Sequence, residues 1–195
     1  MSVLFGGSRS LPASFAPLVS RVVGAVLAGP QSVSVGCAAG ADALALSAAL
    51  AALPGSSAFA RLALFCVGSA SGSGFWSGSA PWSLLSAAAA RCRVFWFAGG
   101  GPEVPFRARL LRRSLAALAG CSSAVFFLSS PSSSGSLSVA AAAVRAGQPV
   151  FVFSCGFSGP PAPLSSVPAG SWSPSAFLGF PCWSWVPTAA QLSLF

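Results

Sequence analysis

Three short apolar runs in this chain each end in a turn of small residues, and this pattern constrains the fold more than any other feature. The runs cover residues 3–5, 32–35 and 124–128, and the turns that follow them cover 6–9, 36–42 and 132–136. A buried strand that leads through a Gly/Ser turn into a helix exposes backbone N–H groups at the positive end of the helix dipole, where phosphate binds. The pattern therefore predicts a nucleotide-binding or nucleic-acid-binding fold.

Strand-like and helical segments alternate along most of the chain. Strands are predicted at 3–5, 32–35, 61–67, 93–97, 124–128 and 149–153, and helices at about 14–28, 41–53, 81–91, 106–119 and 135–146. Such alternation is typical of parallel βαβ units, in which loops at the carboxyl ends of the strands form the site. We therefore expect an α/β fold with a Rossmann-like parallel sheet flanked by helices.

The last part of the chain differs in composition. Residues 154–187 are rich in Pro, Gly, Ser and Trp, which indicates an irregular or extended linker instead of a packed second domain. We predict one Rossmann-like domain over 1–155 and an irregular C-terminal tail over 156–195. Prolines interrupt the uncharged tail, so no apolar stretch of about 20 residues is left to span a membrane.

Arginine supplies all of the basic side chains. The chain has ten Arg, no Lys or His, and only two acids, Asp42 and Glu103, so its formal net charge is +8. Arg suits bidentate and stacking contacts with phosphates and bases, and we expect a nucleic acid or nucleotide partner. The alternative is a codon bias: the absent Lys, His, Tyr, Asn and Ile all need adenine in their codons, whereas Arg does not. The base composition of the gene tests that hypothesis.

The six cysteines are scattered, with no C-x-x-C pair and no His to complete a metal site. We expect reduced, mostly buried thiols, no metal and no cofactor. The N-terminus leads directly into a strand and lacks the basic and apolar regions of a signal peptide. A cytoplasmic location is therefore expected.

Four ordered blocks resemble the signature blocks of the SLOG superfamily. They are residues 6–9, residues 36–42, the helix start at 106–109, and 134–137 with the following 140–143, Gly147 and 149–151. This superfamily unites the Smf/DprA DNA-processing proteins, the LOG-type nucleotide hydrolases and small single-domain phage or plasmid relatives. The resemblance covers about residues 2–155 and implies their Rossmann-like fold.

Residues 106–153 are most similar to DprA, whose members carry an R-N-R helix start and an S-G-S-L turn. This resemblance implies a DNA replication or recombination accessory protein that binds single-stranded DNA in a basic pocket and passes it to a recombinase. Two features depart from the pattern. Ala108 stands between Arg107 and Arg109 in place of Asn, and no winged-helix domain is recognisable. The single-domain relatives are nearly as similar.

The LOG-type enzymes act through a P-G-G-x-G-T-x-x-E turn and a nearby Arg. The corresponding stretch here is 131–139, which places Val139 where the Glu would act. A hydrocarbon cannot serve as a general acid or base, so we assign no catalytic residue and do not expect this hydrolysis. A nucleotide-binding sensor or a LOG-like relative is the alternative function.

The turns and one Arg-rich helix provide the candidate binding residues. Helical spacing predicts that Arg109, Arg112 and Arg113 share one face, either toward nucleic acid or simply toward solvent, with Arg107 near the helix start. The residues predicted to bind phosphate or nucleic acid are Gly6, Gly7, Ser8, Arg9, Gly40, Asp42, Arg107, Arg109, Arg112, Arg113, Ser134, Gly135 and Ser136.

Two of these candidates, Arg9 and Asp42, also have a structural interpretation, and Trp76 is a separate candidate for contact with bases. Arg9 follows a Gly-Gly-Ser turn and should reach the crevice, or it caps the surface. Asp42 starts a helix, where it either caps free N–H groups or contacts the ligand. Trp76 in its Gly/Ser loop is the candidate for base stacking, whereas Phe95 and Trp96 are expected in the core.

The last five residues resemble the bacterial sliding-clamp-binding motif Q-L-[S/D]-L-F at every position. They are Gln191, Leu192, Ser193, Leu194 and Phe195. The resemblance implies that the DNA polymerase sliding clamp is a partner, reached through the flexible tail. A chance match is the alternative in a chain rich in Leu, Ser and Phe. The third function considered is a structural protein that forms a homo-oligomer, because the chain is unusually apolar.

Overall fold

The computed structural model describes residues 1–53 and 57–188. The elements are, in chain order, β1 (Ser2–Gly7), a 3-10 turn (Ala13–Phe15), α1 (Ala16–Ala28), β2 (Ser32–Gly36), α2 (Ala41–Ala52), α3 (Ser57–Arg61), β3 (Leu62–Phe65), α4 (Trp82–Ala89), β4 (Arg93–Phe95), α5 (Phe106–Ala119), β5 (Ser123–Leu128), α6 (Ser134–Arg145), β6 (Val150–Ser154), β7 (Gly170–Phe177) and β8 (Phe180–Pro187). The five long helices therefore begin and end close to their predicted bounds.

All eight strands form one sheet in the order β4-β3-β2-β1-β5-β6-β8-β7. Strands β1 to β6 run parallel to their neighbours, and β8 and β7 are added antiparallel at one side. From the central β1 the chain moves outward through β2, β3 and β4, and then returns to β5 on the other side of β1. This confirms the predicted α/β sheet and places its topological switch point between β1 and β5, where ligands of such folds bind.

Apolar side chains alternate between the two faces of the sheet and form two cores. Val33 and Val35 of β2 face the core beneath α1, α2 and α4. Leu4 of β1 and Phe126 of β5 face the core beneath α5 and α6. Because β5 is buried along its whole length, the switch point lies at the centre of the molecule.

The segment predicted as an irregular tail contains a β-hairpin, so that prediction was wrong for Gly170–Phe177 and Phe180–Pro187. Leu178 and Gly179 both have positive φ (50° and 84°), which is the backbone of a two-residue hairpin turn. Pro174 is tolerated because β7 is the edge strand, and Pro181 pairs only with β7. Residues 155–169 form no helix or strand.

Two further predictions need correction. The strand predicted at 61–67 begins one residue later, because Arg61 ends the short helix α3 and donates hydrogen bonds to the carbonyl groups of Gly29 and Gln31. Phe95 was expected in the core but is 44% exposed, because β4 is the other edge of the sheet. Trp96 is half-buried against the first core, as expected.

Within these two described ranges, no helix has both the length and the apolarity to cross a membrane.

Candidate phosphate-binding cleft

A cleft of about 960 Å³ opens at the carboxyl ends of β1 and β5 and continues between α5 and α6. The turns after β1, β2 and β5 all reach it, as the sequence predicted. The predicted residues that line it are Gly6, Gly7, Ser8, Arg9, Asp42, Arg107, Arg113, Ser134, Gly135 and Ser136. Gly40, Arg109 and Arg112 do not line it. The candidate residues therefore divide into a group in the cleft and a group outside it.

The N-terminus of α6 is open toward the cleft. The N-cap residue Ser133 makes no side-chain capping bond, and its hydroxyl is held by Ser8 Oγ at 2.8 Å and by the Ser130 carbonyl at 3.0 Å. The N–H groups of the next three residues, 134–136, have no acceptor within the described chain, and the first helical bond is Leu137 N–H to the Ser133 carbonyl. These free donors and the helix dipole form a site suited to an anion.

The start of α2 is partly covered by the rest of the chain, although its turn is equally rich in small residues. Of the first three residues of α2, only 42 and 43 have an N–H group without an acceptor within the described chain. Ala41 N–H donates to the Ser8 carbonyl at 3.1 Å, and Ala39 N–H donates to the Gly78 carbonyl at 2.8 Å. Gly40 has φ 69°, and a Cβ there would overlap the carbonyl oxygens of Ser8 and Arg9. Gly40 therefore packs the α2 turn against the β1 turn instead of facing the cleft.

Arg113 and Asp42 form an ion pair in the floor of the cleft. Arg113 Nη1 lies 2.8 Å from Asp42 Oδ2, and each residue is only 6% exposed. The same Asp42 oxygen accepts the N–H of Ala38 at 3.2 Å, so Asp42 braces the turn before α2 instead of capping the helix, for which Gly40 is the N-cap. Burial would lower the pKa of Arg113, but the Asp42 carboxylate raises it above its usual value.

The ion pair needs a glycine at position 36. A Cβ at Gly36 would overlap both Arg113 Nη1 and Asp42 Oδ2. Gly36 is absent from the predicted binding residues, although it begins the quoted 36–42 block. Its role could have been suspected from that motif, but the partner Arg113 is 77 residues away along the chain and comes close only because α5 packs on β2.

Helical spacing groups three arginines of α5 on one side, but this side does not face nucleic acid or solvent as a whole. Arg113 is turned inward to the sheet, Arg112 is exposed, and Arg109 is half-buried, so the three side chains have different surroundings. The Arg109 guanidinium lies over the Phe106 ring at 5.4 Å from its centroid, and Trp76 packs edge-on against the same ring at 4.9 Å. Arg109 thus stabilises the start of α5 outside the cleft. Trp76 as a base-stacking residue stays a prediction.

Arg9 and Arg107 are the exposed cations of the cleft. The chain has two acids: Asp42 is paired with Arg113, and Glu103 accepts the N–H of Gly101 at 3.1 Å. Within residues 1–53 and 57–188, neither Arg9 nor Arg107 forms an ion pair, so both charges are available to a ligand. Ser8 has a different role, since it is buried and its hydroxyl accepts the N–H of Ser129 at 2.9 Å.

Part of the cleft lining is apolar. The apolar lining residues include Leu4, Leu110, Leu111, Ala117, Phe126 and Val139. Val139, at the position that corresponds to the Glu of the LOG-type enzymes, is buried in the second core. Leu111 stands four residues after Arg107 and follows it on the same side of α5, a relation that the sequence could have suggested.

Two thiols lie close to the ion pair, at the ends of β2 and β3. A hydrogen bond between the Cys37 and Cys66 side chains is the main cause that lowers the pKa of Cys37 to about 7, with help from the Arg113 charge and against the effect of burial. The same hydrogen bond, together with burial, raises the pKa of Cys66. Within residues 1–53 and 57–188, no three His, Cys, Asp or Glu side chains cluster as metal ligands.

The comparisons with known proteins support the fold. No protein-family model matches the chain, and no curated protein matches it. The chain is similar to the X-ray structure of DNA processing protein A (DprA) from Streptococcus pneumoniae, with a TM-score of 0.57 and 20% sequence identity over 77% of this chain and 49% of that chain. The chain thus spans about half the length of that protein. At this identity the similarity establishes a shared fold, which is the fold that the four sequence blocks predicted.

Proposed function

We propose that the cleft binds the phosphate backbone of single-stranded DNA, and that the chain is a DprA-like accessory protein of DNA replication or recombination. One observation carries the proposal: the unpaired guanidinium groups of Arg9 and Arg107 line the same cleft as the open N-terminus of α6. Cations and free N–H groups around one space attract successive phosphates. The fold that the chain shares with a DNA processing protein supports the same proposal.

The apolar lining of the cleft gives the bases a place. Leu110 and Leu111 offer surface to a base whose phosphate lies at the α6 N-terminus. The nearby Ser114 hydroxyl is already used, because it donates to the Leu110 carbonyl at 3.1 Å. Base edges find few polar groups to read there, so binding depends little on sequence. Transfer of the strand to a recombinase, which the resemblance to DprA implies, is part of the same proposal.

The test is the affinity for a fluorescently labelled single strand, measured by anisotropy over a range of salt concentrations. Arg107→Ala removes one phosphate contact, so the slope of log affinity against log salt falls in magnitude by about 0.7, and the affinity at low salt falls roughly fivefold to tenfold. The matched control is Arg145→Ala, because Arg145 lies in the last turn of α6 and donates to the Ser166 carbonyl outside the cleft. No detectable binding by the intact protein at low salt rejects the proposal.

A mononucleotide is the second candidate ligand, and the shape of the cleft favours it. Its volume of about 960 Å³ lies within the range of small-molecule sites, about 300–1,000 Å³. An apolar lining in the same cleft as an anion site suits a base and its phosphate. A competition experiment distinguishes a mononucleotide ligand from a single-stranded DNA ligand. If a nucleoside monophosphate displaces the labelled single strand when both supply the same concentration of phosphate groups, the mononucleotide is the favoured ligand. Hydrolysis of the nucleotide is not expected, because Val139 supplies no proton.

We further propose that the C-terminal motif binds the bacterial sliding clamp. Gln191, Leu192, Ser193, Leu194 and Phe195 lie outside the described residues, so the proposal rests on their match to the motif. The described chain ends just after β8, at the opposite side of the sheet from β4. The test is capture of the chain by immobilised clamp, with the intact protein and with a variant that lacks residues 191–195. Equal capture of both ends this proposal.

A further inference from the structure

A second cavity lies on the other side of α5 from the cleft. It measures about 310 Å³, and its walls include Ser34, Phe65, Arg93 and Phe95 of the sheet and Ala117 of α5. Ala117 also lines the cleft, so α5 separates the two spaces. No sequence motif marks this surface.

The cavity contains an exposed aromatic stack. Phe65 and Phe95 are register partners on β3 and β4, and their rings are nearly parallel at 4.5 Å between centroids. Phe65 covers one side of the Phe95 ring, and β4 is the edge strand, so Phe95 is still 44% exposed. A further planar group can therefore extend the stack, as bases do on aromatic side chains.

One exposed arginine flanks this stack. Arg93 lines the same cavity and precedes Phe95 by two residues on the same face of β4. Within residues 1–53 and 57–188, Arg93 forms no ion pair, since Asp42 is buried with Arg113 and Glu103 accepts the N–H of Gly101.

We propose that this surface, formed by Phe65, Arg93 and Phe95, is a second contact for the single-stranded nucleic acid that the cleft binds. One base stacks on Phe95, and the adjoining phosphate binds Arg93. The inference rests on the proposed function of the cleft. An apolar protein partner fits less well, because it would bury the unpaired guanidinium group of Arg93. The volume, at the small end of ligand sites, suits one base.

The test compares a short and a long oligothymidylate, of about four and about fifteen nucleotides. Only the long one crosses α5, which is about 10–12 Å wide, and reaches both surfaces. The double variant Arg93→Ala/Phe95→Ala should lose about tenfold in affinity for the long strand, within the range known for loss of one stacked base, and nothing for the short one. Phe95→Trp, which keeps a stacking ring, should retain the affinity.

The matched controls remove an exposed ring and an exposed cation elsewhere. Phe59→Ala and Arg145→Ala should leave both affinities unchanged, and circular dichroism confirms that each variant is folded. Equal loss for both strands, or no loss for the long one, overturns this inference alone. If Arg93→Ala/Phe95→Ala changes the oligomeric state and leaves the affinities for both strands unchanged, the surface is a contact between copies of the chain, and the inference is overturned. Failure of the intact protein to bind either strand overturns the function of the cleft and this inference together.

Discussion

The N-terminal turns of α2 and α6 look alike in sequence and differ in what their N–H groups do. Both follow a buried parallel strand, both are rich in small residues, and both were predicted to bind phosphate. At α2 the N–H groups of residues 38, 39 and 41 are bonded to the Asp42 carboxylate and to the Gly78 and Ser8 carbonyls, and of the first three helical residues only 42 and 43 have an N–H group without an acceptor within the described chain. At α6 the N–H groups of residues 134–136 all have no acceptor within the described chain, and all three residues line the cleft. The start of α2 is thus partly covered by the β1 turn and carries a carboxylate, whereas the start of α6 faces the cleft with its donors free.

The difference arises from packing between distant segments. The α2 turn lies against the β1 turn, and Gly40 permits this contact. The α6 turn is joined to the same β1 turn by the hydrogen bond between the Ser8 and Ser133 hydroxyls, which leaves the N–H groups of residues 134–136 open. We infer that the α2 turn is a structural support and that the α6 turn binds the ligand, and four substitutions test this division.

The largest effect is expected from Arg113→Met. It leaves the buried Asp42 carboxylate without its partner, and the free energy of unfolding should fall by about 3–5 kcal/mol. Urea denaturation measures it. The control is Arg112→Met, one residue earlier and exposed, for which a change within about 0.5 kcal/mol is expected.

A double variant isolates the ion pair from the loss of packing. Arg113→Met/Asp42→Asn removes both charges, so it should be less destabilised than the sum of the two single variants. Additive losses would show that the pair does not support the α2 turn, and the division between the two turns would lose its main structural basis.

Gly40→Ala should cost about 2–4 kcal/mol of stability. The new Cβ would clash with the Ser8 and Arg9 carbonyls, and φ 69° is unfavourable for Ala. Gly147→Ala is the matched control, because Gly147 has φ 70° and a Cβ there meets nothing within 4 Å. Denaturation of both variants separates the clash from the backbone strain. Equal losses would contradict close packing of the α2 turn.

Ser8→Ala should cost about 1–2 kcal/mol, because it removes the acceptor of the Ser129 N–H and the partner of the Ser133 hydroxyl. Ser10→Ala serves as the control, since its hydroxyl makes one exposed bond with the Ser129 hydroxyl at 3.0 Å. Stability is again read from urea denaturation. If Ser8→Ala were as stable as Ser10→Ala, the Ser8 hydroxyl would not join the β1 turn to the α6 turn.

The fold was predictable because its signals are local. Alternation of apolar strands with helices gave the parallel order, and a Gly/Ser turn marked the end of β1, β2 and β5. The β7–β8 hairpin was missed because Pro and Gly in residues 170–187 weaken the sequence pattern of a strand. Leu178-Gly179 is nevertheless a two-residue turn. The prolines are tolerated because Pro174 lies on the edge strand β7 and Pro181 of β8 pairs only with β7.

The site was predictable in its location and less so in its residues. The sequence placed Arg9, Arg107, Arg109 and the 134–136 turn in one cleft, and in the structure all of them except Arg109 line it. It could not distinguish Arg112 from Arg113, because which of two adjacent side chains faces the sheet depends on how α5 packs on β2. It also could not show that the Asp42 carboxylate is taken by a residue far along the chain.

The smallest change in stability, and the most direct test of the α6 turn, is expected from Gly135→Ala. A Cβ at Gly135 meets nothing within 4 Å, and Ala favours a helix over Gly by about 0.5–1 kcal/mol, so the variant should be slightly more stable. The same Cβ enters the cleft beside the free N–H groups, so affinity for single-stranded DNA should fall a few-fold. Gly24→Ala, inside α1 and equally unobstructed, should gain stability with unchanged affinity. If anisotropy shows the same affinity for both variants, phosphate does not bind at the α6 turn, and the open donors of that turn have another use.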